Sequence, residues 1–83
     1  MPIISGRVIE KWSKTPVANA VVHLAGKSTL TGVDGSFSIY VEMPGTYLLR
    51  VVKAGYEEAS SSITIPPEGV SIIVELTPIF KAL

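Results

Sequence analysis

The stretch TGVDGSFSI, residues 31–39, joins an Asp-Gly pair directly to an alternating pattern of apolar residues. A tight hairpin turn needs positive backbone φ angles, which Gly and Asp adopt more readily than most residues. After the pair at 34–35, Phe37, Ile39 and Val41 recur at every second position, which is the period of a strand with one buried face. The stretch therefore predicts a hairpin turn followed by a strand, and it carries no group that indicates chemistry.

Turn residues and short apolar runs alternate along the whole chain. Clusters of Pro, Gly, Asn and Ser separate runs rich in Val, Ile, Thr, Tyr and Leu, and no window keeps the helical spacing of apolar residues for three turns. We predict seven strands, at about residues 3–9, 20–25, 28–32, 36–41, 46–53, 60–65 and 70–76. The fold class that follows is an all-β sandwich.

Length and composition limit the architecture and the partners. The 83 residues suffice for one small core, so we predict a single domain over residues 1–83. Cysteine is absent, which excludes disulfides and thiolate metal sites. Seven basic and seven acidic side chains cancel without a block of like charge, which argues against nucleic acid as the main partner.

The chain is apolar for its size, with 47% hydrophobic and 17% charged residues. No uninterrupted apolar stretch approaches the roughly 18 residues of a membrane span, so none is predicted. The first six residues, MPIISG, lack the charged and long apolar regions of a secretory signal. The sequence alone leaves the compartment unassigned.

The turn residues and the apolar strand residues keep a regular order and spacing over about residues 4–78. They are Ile4, Gly6, Val8, Thr15, Pro16, Ala20, Val22, Leu24, Gly26, Thr31, Asp34, Gly35, Phe37, Ile39, Gly45, Tyr47, Leu49, Val51, Gly55, Tyr56, Ile72, Val74, Leu76 and Pro78. In these residues the chain resembles the carboxypeptidase regulatory-like domains of the prealbumin or transthyretin-like superfamily. The resemblance implies a Greek-key sandwich that is generally non-catalytic, serves as an accessory module and is mostly extracytoplasmic.

Two special chemistries of that superfamily are not matched by this sequence. The 5-hydroxyisourate hydrolases bring histidines, an arginine and a terminal Tyr-Arg-Gly-Ser motif together, whereas this chain has only His23 and ends in FKAL. The surface-adhesin relatives join a lysine of the first strand to an asparagine of the last, but here those strands read GRVIE and SIIVEL. The resemblance therefore predicts neither an enzyme nor an internal crosslink.

No residue pattern indicates a catalytic, cofactor or metal site. His23 falls on the outward side of its predicted strand, so a surface histidine is favoured over a catalytic one. The acidic pair at 57–58 fits a solvated turn better than a cation site, because calcium needs about six to eight oxygen ligands. Asp34 is expected to form its turn rather than bind a metal.

Trp12 and Tyr40 are the aromatic residues that the pattern places outside the core. Trp12 lies in the first loop and Tyr40 alternates outward between core positions. Exposed rings can stack on sugars or anchor a protein interface, which makes a carbohydrate-binding module the alternative function. A second interpretation of Trp12 is that it folds back and caps one end of the sandwich.

Several outward positions are apolar, although the solvent-exposed face of a sheet is normally polar. They are Ile9, Val21, Leu48, Val52 and Ile73. A cluster of three or more on one sheet predicts an interface with another copy, a neighbouring domain or another protein. A one-residue error in strand register would instead turn these side chains inward.

The C-terminal segment adds to this prediction, because Phe80 stays apolar beyond the last strand and after Pro78. The segment could pack over its own sandwich, exchange with a neighbouring copy or lead into a further domain. The sequence thus predicts a non-enzymatic structural or protein-interaction module without a cofactor.

Overall fold

The computed structural model describes residues 2–79, and its seven strands follow the order that the sequence predicts. They are β1 (Ile3–Glu10), β2 (Val21–Leu24), β3 (Lys27–Leu30), β4 (Ser36–Tyr40), β5 (Gly45–Val52), β6 (Ala59–Ile65) and β7 (Val70–Leu76). No helix occurs within residues 2–79, so none in that range could span a membrane. The predicted all-β fold is confirmed.

The strands form two sheets that face each other. The three-stranded sheet has the order β4-β1-β7, and the four-stranded sheet has the order β3-β2-β5-β6. Strands β1 and β7 are parallel, and the other neighbours are antiparallel. Because the chain passes between the sheets after β1, β3, β4 and β6, the strands build the predicted Greek-key sandwich.

The core consists of the inward side chains of both sheets. The buried apolar residues are Ile4, Val8, Val17, Ala20, Val22, Leu24, Phe37, Ile39, Val41, Leu49, Val51, Ile65 and Leu76. Those on the strands alternate with outward residues, as a period of two requires. A second group is only partly buried against this core, and most of it lies on β5, β6 and β7: Tyr47, Tyr56, Ala59, Ile63, Val70, Ile72 and Val74. The core is therefore less completely covered along one side of the sandwich.

The turn at 32–35 differs from the predicted hairpin. It closes with a hydrogen bond from the Gly35 amide to the Gly32 carbonyl, and only Gly35 of the Asp-Gly pair has a positive φ, +79°. A two-residue hairpin of type I′ would need a positive φ at both central residues. The strands on either side, β3 and β4, belong to different sheets, so the turn carries the chain from one sheet to the other.

A true two-residue hairpin joins β2 to β3 instead. Ala25 and Gly26 both have positive φ angles, 53° and 76°, as a type I′ turn requires. The turn pairs Leu24 with Lys27 and, three residues further, Val21 with Leu30. This register places Leu30 on the outer face of the four-stranded sheet.

Candidate interaction surfaces

An apolar row crosses the outer face of the four-stranded sheet. Val21 lies opposite Leu30 on one side and opposite Val52 on the other. The adjacent residues Val22 and Val51 are fully buried, so these three side chains point away from the core. Leu30 is 59% exposed, while Val21 and Val52 are half-buried. We call Leu30, Val21 and Val52 the apolar row.

The next row on the same face is polar. His23 lies opposite Ser28 on β3 and Arg50 on β5. The Arg50 Nη2 atom donates a 2.8 Å hydrogen bond to Glu58 Oε1. This contact lowers the pKa of Glu58 and raises the pKa of Arg50, in each case chiefly through the hydrogen bond. The paired charges cancel within the face.

Leu48 lies beyond this polar row, opposite Ser62 on β6, and is 56% exposed. It is outward on β5 like Val52, and Arg50 lies between them on the strand. The outer face of the four-stranded sheet therefore presents apolar side chains on both sides of a neutralised ion pair.

The opposite outer face, on the three-stranded sheet, carries the other predicted residues. Ile73 lies opposite Arg7 and is 69% exposed, and Ile9 lies opposite Glu75 and is half-buried. Lys14 Nζ forms an ion pair with Glu75, and this hydrogen bond lowers the pKa of the Glu75 carboxyl. Charged groups thus accompany both apolar side chains of this face.

The five outward apolar residues are divided between two opposite faces. Val21, Leu48 and Val52 share the four-stranded sheet, whereas Ile9 and Ile73 lie on the three-stranded sheet. All five occupy outward positions, so the alternative of a register error does not apply to them. A single patch containing all five does not form.

Leu30 is missing from the sequence prediction although it completes the apolar row. Its strand was expected at 28–32, without a turn type that fixed its register. The signal that identifies it is the Ala25-Gly26 pair, because a two-residue hairpin centred there places Leu30 opposite Val21.

Trp12 and Tyr40 are both exposed, at 58% and 51%, but they lie at opposite ends of β1. Tyr40 is paired with Ile3 at the beginning of that strand, and Trp12 follows its end at Glu10. Eight strand residues span about 25 Å, which is too far for the two rings to stack on one sugar. The Lys11 ammonium lies 6.0 Å from the centroid of the Trp12 ring, and the exposure of Trp12 does not fit a buried cap.

Phe80 lies outside the described residues, so the structure does not test its predicted role. Ile79, the last described residue, is 49% exposed, and its amide donates to the Gly55 carbonyl. The described chain therefore ends beside the loop between β5 and β6.

Several ionisable groups are engaged in structural contacts. Asp34 Oδ1 accepts hydrogen bonds from the Ser36 amide at 3.1 Å and the Ser36 hydroxyl at 2.6 Å, which lowers the pKa of Asp34 and fits its expected turn role. The Tyr56 hydroxyl donates to Glu10 Oε2 at 2.9 Å, and this bond raises the pKa of Tyr56. Within residues 2–79 no three His, Asp or Glu side chains are grouped to hold a metal ion.

A cleft of about 390 Å³ opens between β6 and β7. Leu49 and Val51 line it from β5, and Ile63 and Val74 line it from β6 and β7. The sequence could not predict this cleft, because the position of the cleft depends on which strands become the edge strands of each sheet. The two sheets therefore do not close completely over the core between β6 and β7.

Two facing sheets with a parallel β1–β7 pair define this protein as a prealbumin-like β-sandwich. The family model of the carboxypeptidase regulatory-like domain matches residues 3–77. The chain belongs to the carboxypeptidase regulatory-like domain family. A search of curated proteins found no match.

Three solved structures illustrate the distribution of the fold. The pilus 2b backbone protein of group B streptococcus has a TM-score of 0.78 at 18% identity, over 93% of this chain and 41% of that one. A chain of a type II cohesin-X-dockerin complex from Acetivibrio cellulolyticus has a TM-score of 0.71 at 20% identity, and the match covers 89% of this chain and 53% of that one. The 5-hydroxyisourate hydrolase of Klebsiella pneumoniae has a TM-score of 0.71 at 15% identity, and the match covers 96% of this chain and 93% of that one. At these identities the likeness is one of fold, and this chain spans about half or less of the first two.

Proposed function

We propose that this chain is a non-enzymatic structural or protein-interaction module that docks through the outer face of its four-stranded sheet, with a second copy as its partner. The supporting observation is the apolar row, in which Leu30, Val21 and Val52 lie side by side across three strands. Outer faces of antiparallel sheets are normally polar, and a contiguous apolar patch is a common mark of a protein interface.

The charge on this face suits contact between identical surfaces. Arg50 is paired with Glu58 on the same face, so two copies meet without an uncompensated charge of one sign. Burial of the apolar row and Leu48 supplies a hydrophobic driving force that salt does not screen. Association through this face is therefore expected to persist at high ionic strength.

The geometry around His23 supports a non-catalytic role. A nucleophilic site of the serine type needs a histidine that is oriented by an acid. Here the neighbouring carboxylate of Glu58 is bonded to Arg50, and His23 stands exposed on an open sheet face. The arrangement orients the acid toward the arginine rather than toward the histidine.

The comparisons agree with this proposal at the level of fold. The similar sandwiches include a pilus backbone protein and a chain of a cohesin-X-dockerin complex. The carbohydrate alternative uses Trp12 and Tyr40, and their separation along β1 leaves no joint stacking surface for one sugar ring. The protein interface is the function that the geometry favours.

The test is the mass of the protein in solution, measured by size-exclusion chromatography with light scattering at low and high salt. The natural sequence is expected to form a dimer or larger assembly at both salt concentrations. Leu30→Glu places a charge in the apolar row and is expected to give monomers. Ile73→Glu is the matched control, because Ile73 is similarly exposed on the opposite outer face, and it is expected to leave the mass unchanged.

Two outcomes contradict the proposal. A monomer at every concentration would show that a second copy is not the partner. Dissociation by Ile73→Glu but not by Leu30→Glu would show that the interface lies on the three-stranded sheet.

A further inference from the structure

The two sheets of the described chain have unequal widths, because four strands face three. Strands β6 and β7 are edge strands on the same side of the sandwich. The inward side chains are less buried on that side. On β5, the inward residues Leu49 and Val51 are 3% and 0% exposed. Their cross-strand partners on β6, Ser61 and Ala59, are exposed and half-buried. The inward face of β6 around Ala59 and Ser61 thus lacks the cover that a fourth strand of the opposite sheet would provide, whereas Ile65 at the other end of β6 is fully buried.

The cleft between β6 and β7 is the space left by that missing cover. Its volume is about 390 Å³, and small residues at Ala59 and Ser61 leave this room, while Ile72 and Val74 line it from β7. Among the lining residues only Glu75 is charged, and Glu75 is paired with Lys14. The cleft therefore complements uncharged, apolar groups.

The backbone of β7 adds a hydrogen-bonding edge to this apolar cleft. It pairs with β1 on one side and has no strand partner on the other among residues 2–79. Natural edge strands are usually protected by charged side chains, especially lysine, by proline or by a bulge. The sequence VSIIVEL of β7 contains neither lysine nor proline, and its one charged residue, Glu75, is paired with Lys14.

The opposite side of the sandwich carries such protection. There the edge strands are β3 and β4, and Lys27 Nζ donates a 3.0 Å hydrogen bond to the Tyr40 carbonyl across the two edges. The contrast places the open side of the sandwich at β6 and β7. Because β7 ends the narrower sheet, a strand added to β7 would cover the inward face of β6, which points to β7 as the site where a further strand can be added.

The ends of the cleft limit the length of an added strand. At one end the turn at 66–69 joins β6 to β7, with the Gly69 amide bonded to the Pro66 carbonyl at 2.9 Å. At the other end the Glu57 amide donates to the Thr77 carbonyl at 2.8 Å. Between these connections β7 spans about 20 Å, which suits a segment of about six residues.

We propose that β7 accepts a short, uncharged, extended segment of a partner protein as a fourth strand of its sheet. The backbone of the segment pairs with the free edge of β7, and its apolar side chains at alternate positions fill the cleft above Leu49 and Val51. This site is separate from the outer face proposed for docking, so each can be tested without the other.

The test is a titration of the ¹⁵N-labelled protein with the synthetic peptide acetyl-Thr-Val-Thr-Val-Thr-Val-amide, followed by two-dimensional NMR. Saturable shifts are expected for amides of β6 and β7, together with slower hydrogen exchange along the free edge of β7. The same peptide with every amide nitrogen methylated keeps its side chains but cannot pair as a strand, and it is expected not to bind. This comparison needs no change to the protein.

Two serine variants locate the binding. Ser61→Phe fills the cleft from an inward position and is expected to abolish binding. Ser38→Phe adds the same ring to an exposed position on β4, on the opposite side of the sandwich from the free edge of β7, and is expected to preserve binding. The proposal is overturned if the unmodified peptide gives no saturable shifts, or if the methylated peptide binds equally well. Shifts confined to the outer faces, or loss of binding only in Ser38→Phe, would also overturn it.

Discussion

The Val8 amide donates a 2.8 Å hydrogen bond to the carbonyl of Gly35, which joins the middle of β1 to the turn between the sheets. The Val8 carbonyl in turn accepts from the Val17 amide at 2.9 Å. A Cβ atom on Gly35 would lie 2.4 Å from that carbonyl oxygen. Glycine is therefore required at this position for its φ angle of +79° and for the close approach of two backbones.

Gly35→Ala is expected to lower the free energy of unfolding by at least about 2 kcal/mol, because the strained φ and the backbone clash act together. Gly55→Ala is the matched control, since Gly55 has a φ of +89° with no atom within 4 Å of the added Cβ. Gly55→Ala is expected to lower the free energy of unfolding by about 1 kcal/mol. Urea unfolding measures both, and equal losses would show that the contact with Val8 is unimportant.

Thr31 is a buried polar residue whose hydroxyl completes the hydrogen bonding of two loops. It accepts from the Ala20 amide at 2.9 Å and donates to the Val17 carbonyl at 2.7 Å. Thr31→Val leaves both backbone groups without these partners and is expected to cost about 2 to 3 kcal/mol. Thr31→Ser keeps the hydroxyl and is expected to cost less. If the two variants lose equal stability in urea, the hydroxyl does not contribute.

Ala25 is strained in the hairpin between β2 and β3, because an alanine there has a φ of 53°. Ala25→Asn creates the Asn-Gly pair that type I′ turns favour, and it is expected to stabilise the protein by about 0.5 to 1 kcal/mol. Thermal unfolding provides the measurement. A lower melting temperature for Ala25→Asn would contradict the assigned turn geometry.

Stability is expected to fall in acid through two ion pairs. Hydrogen bonds from Arg50 and Lys14 lower the pKa values of Glu58 and Glu75 in the folded state, from an ordinary value of 4.5. A lowered pKa gives stability that is present above the unfolded value and is lost as the pH falls through the folded value. The double variant Glu58→Gln with Glu75→Gln should therefore show a shallower loss below about pH 4.5.

The check for this expectation is a series of melting temperatures from neutral to acidic pH. High salt should reduce the difference between the natural sequence and the double variant, because both pairs are exposed. Identical acid profiles at low salt would exclude these two pairs as a source of the pH dependence.

The strands and their faces could be predicted from the sequence because they depend on local patterns. The alternation of Phe37 and Ile39 set the inward face of β4, Val41 continues it just after the strand, and all three are buried. The same rule placed Leu48 outward on β5, where it is exposed. A period of two and the positions of turn residues are enough for such assignments.

The surfaces could be predicted only in part, because they depend on which strands become neighbours. Val21 and Ile73 look alike in the sequence, yet they lie on opposite outer faces. Trp12 and Tyr40 both proved exposed, but strand pairing separates them along β1. The cleft over Ser61 arises from the unequal number of strands, which no single strand reveals.

The most direct test of docking through the four-stranded sheet is a series of two-dimensional ¹⁵N NMR spectra from dilute to concentrated protein. Progressive shifts and line broadening are expected for amides of β2, β3 and β5 around the apolar row, while amides around Ile73 stay unchanged. Spectra that do not change with concentration, or that change only on the three-stranded sheet, would contradict the account.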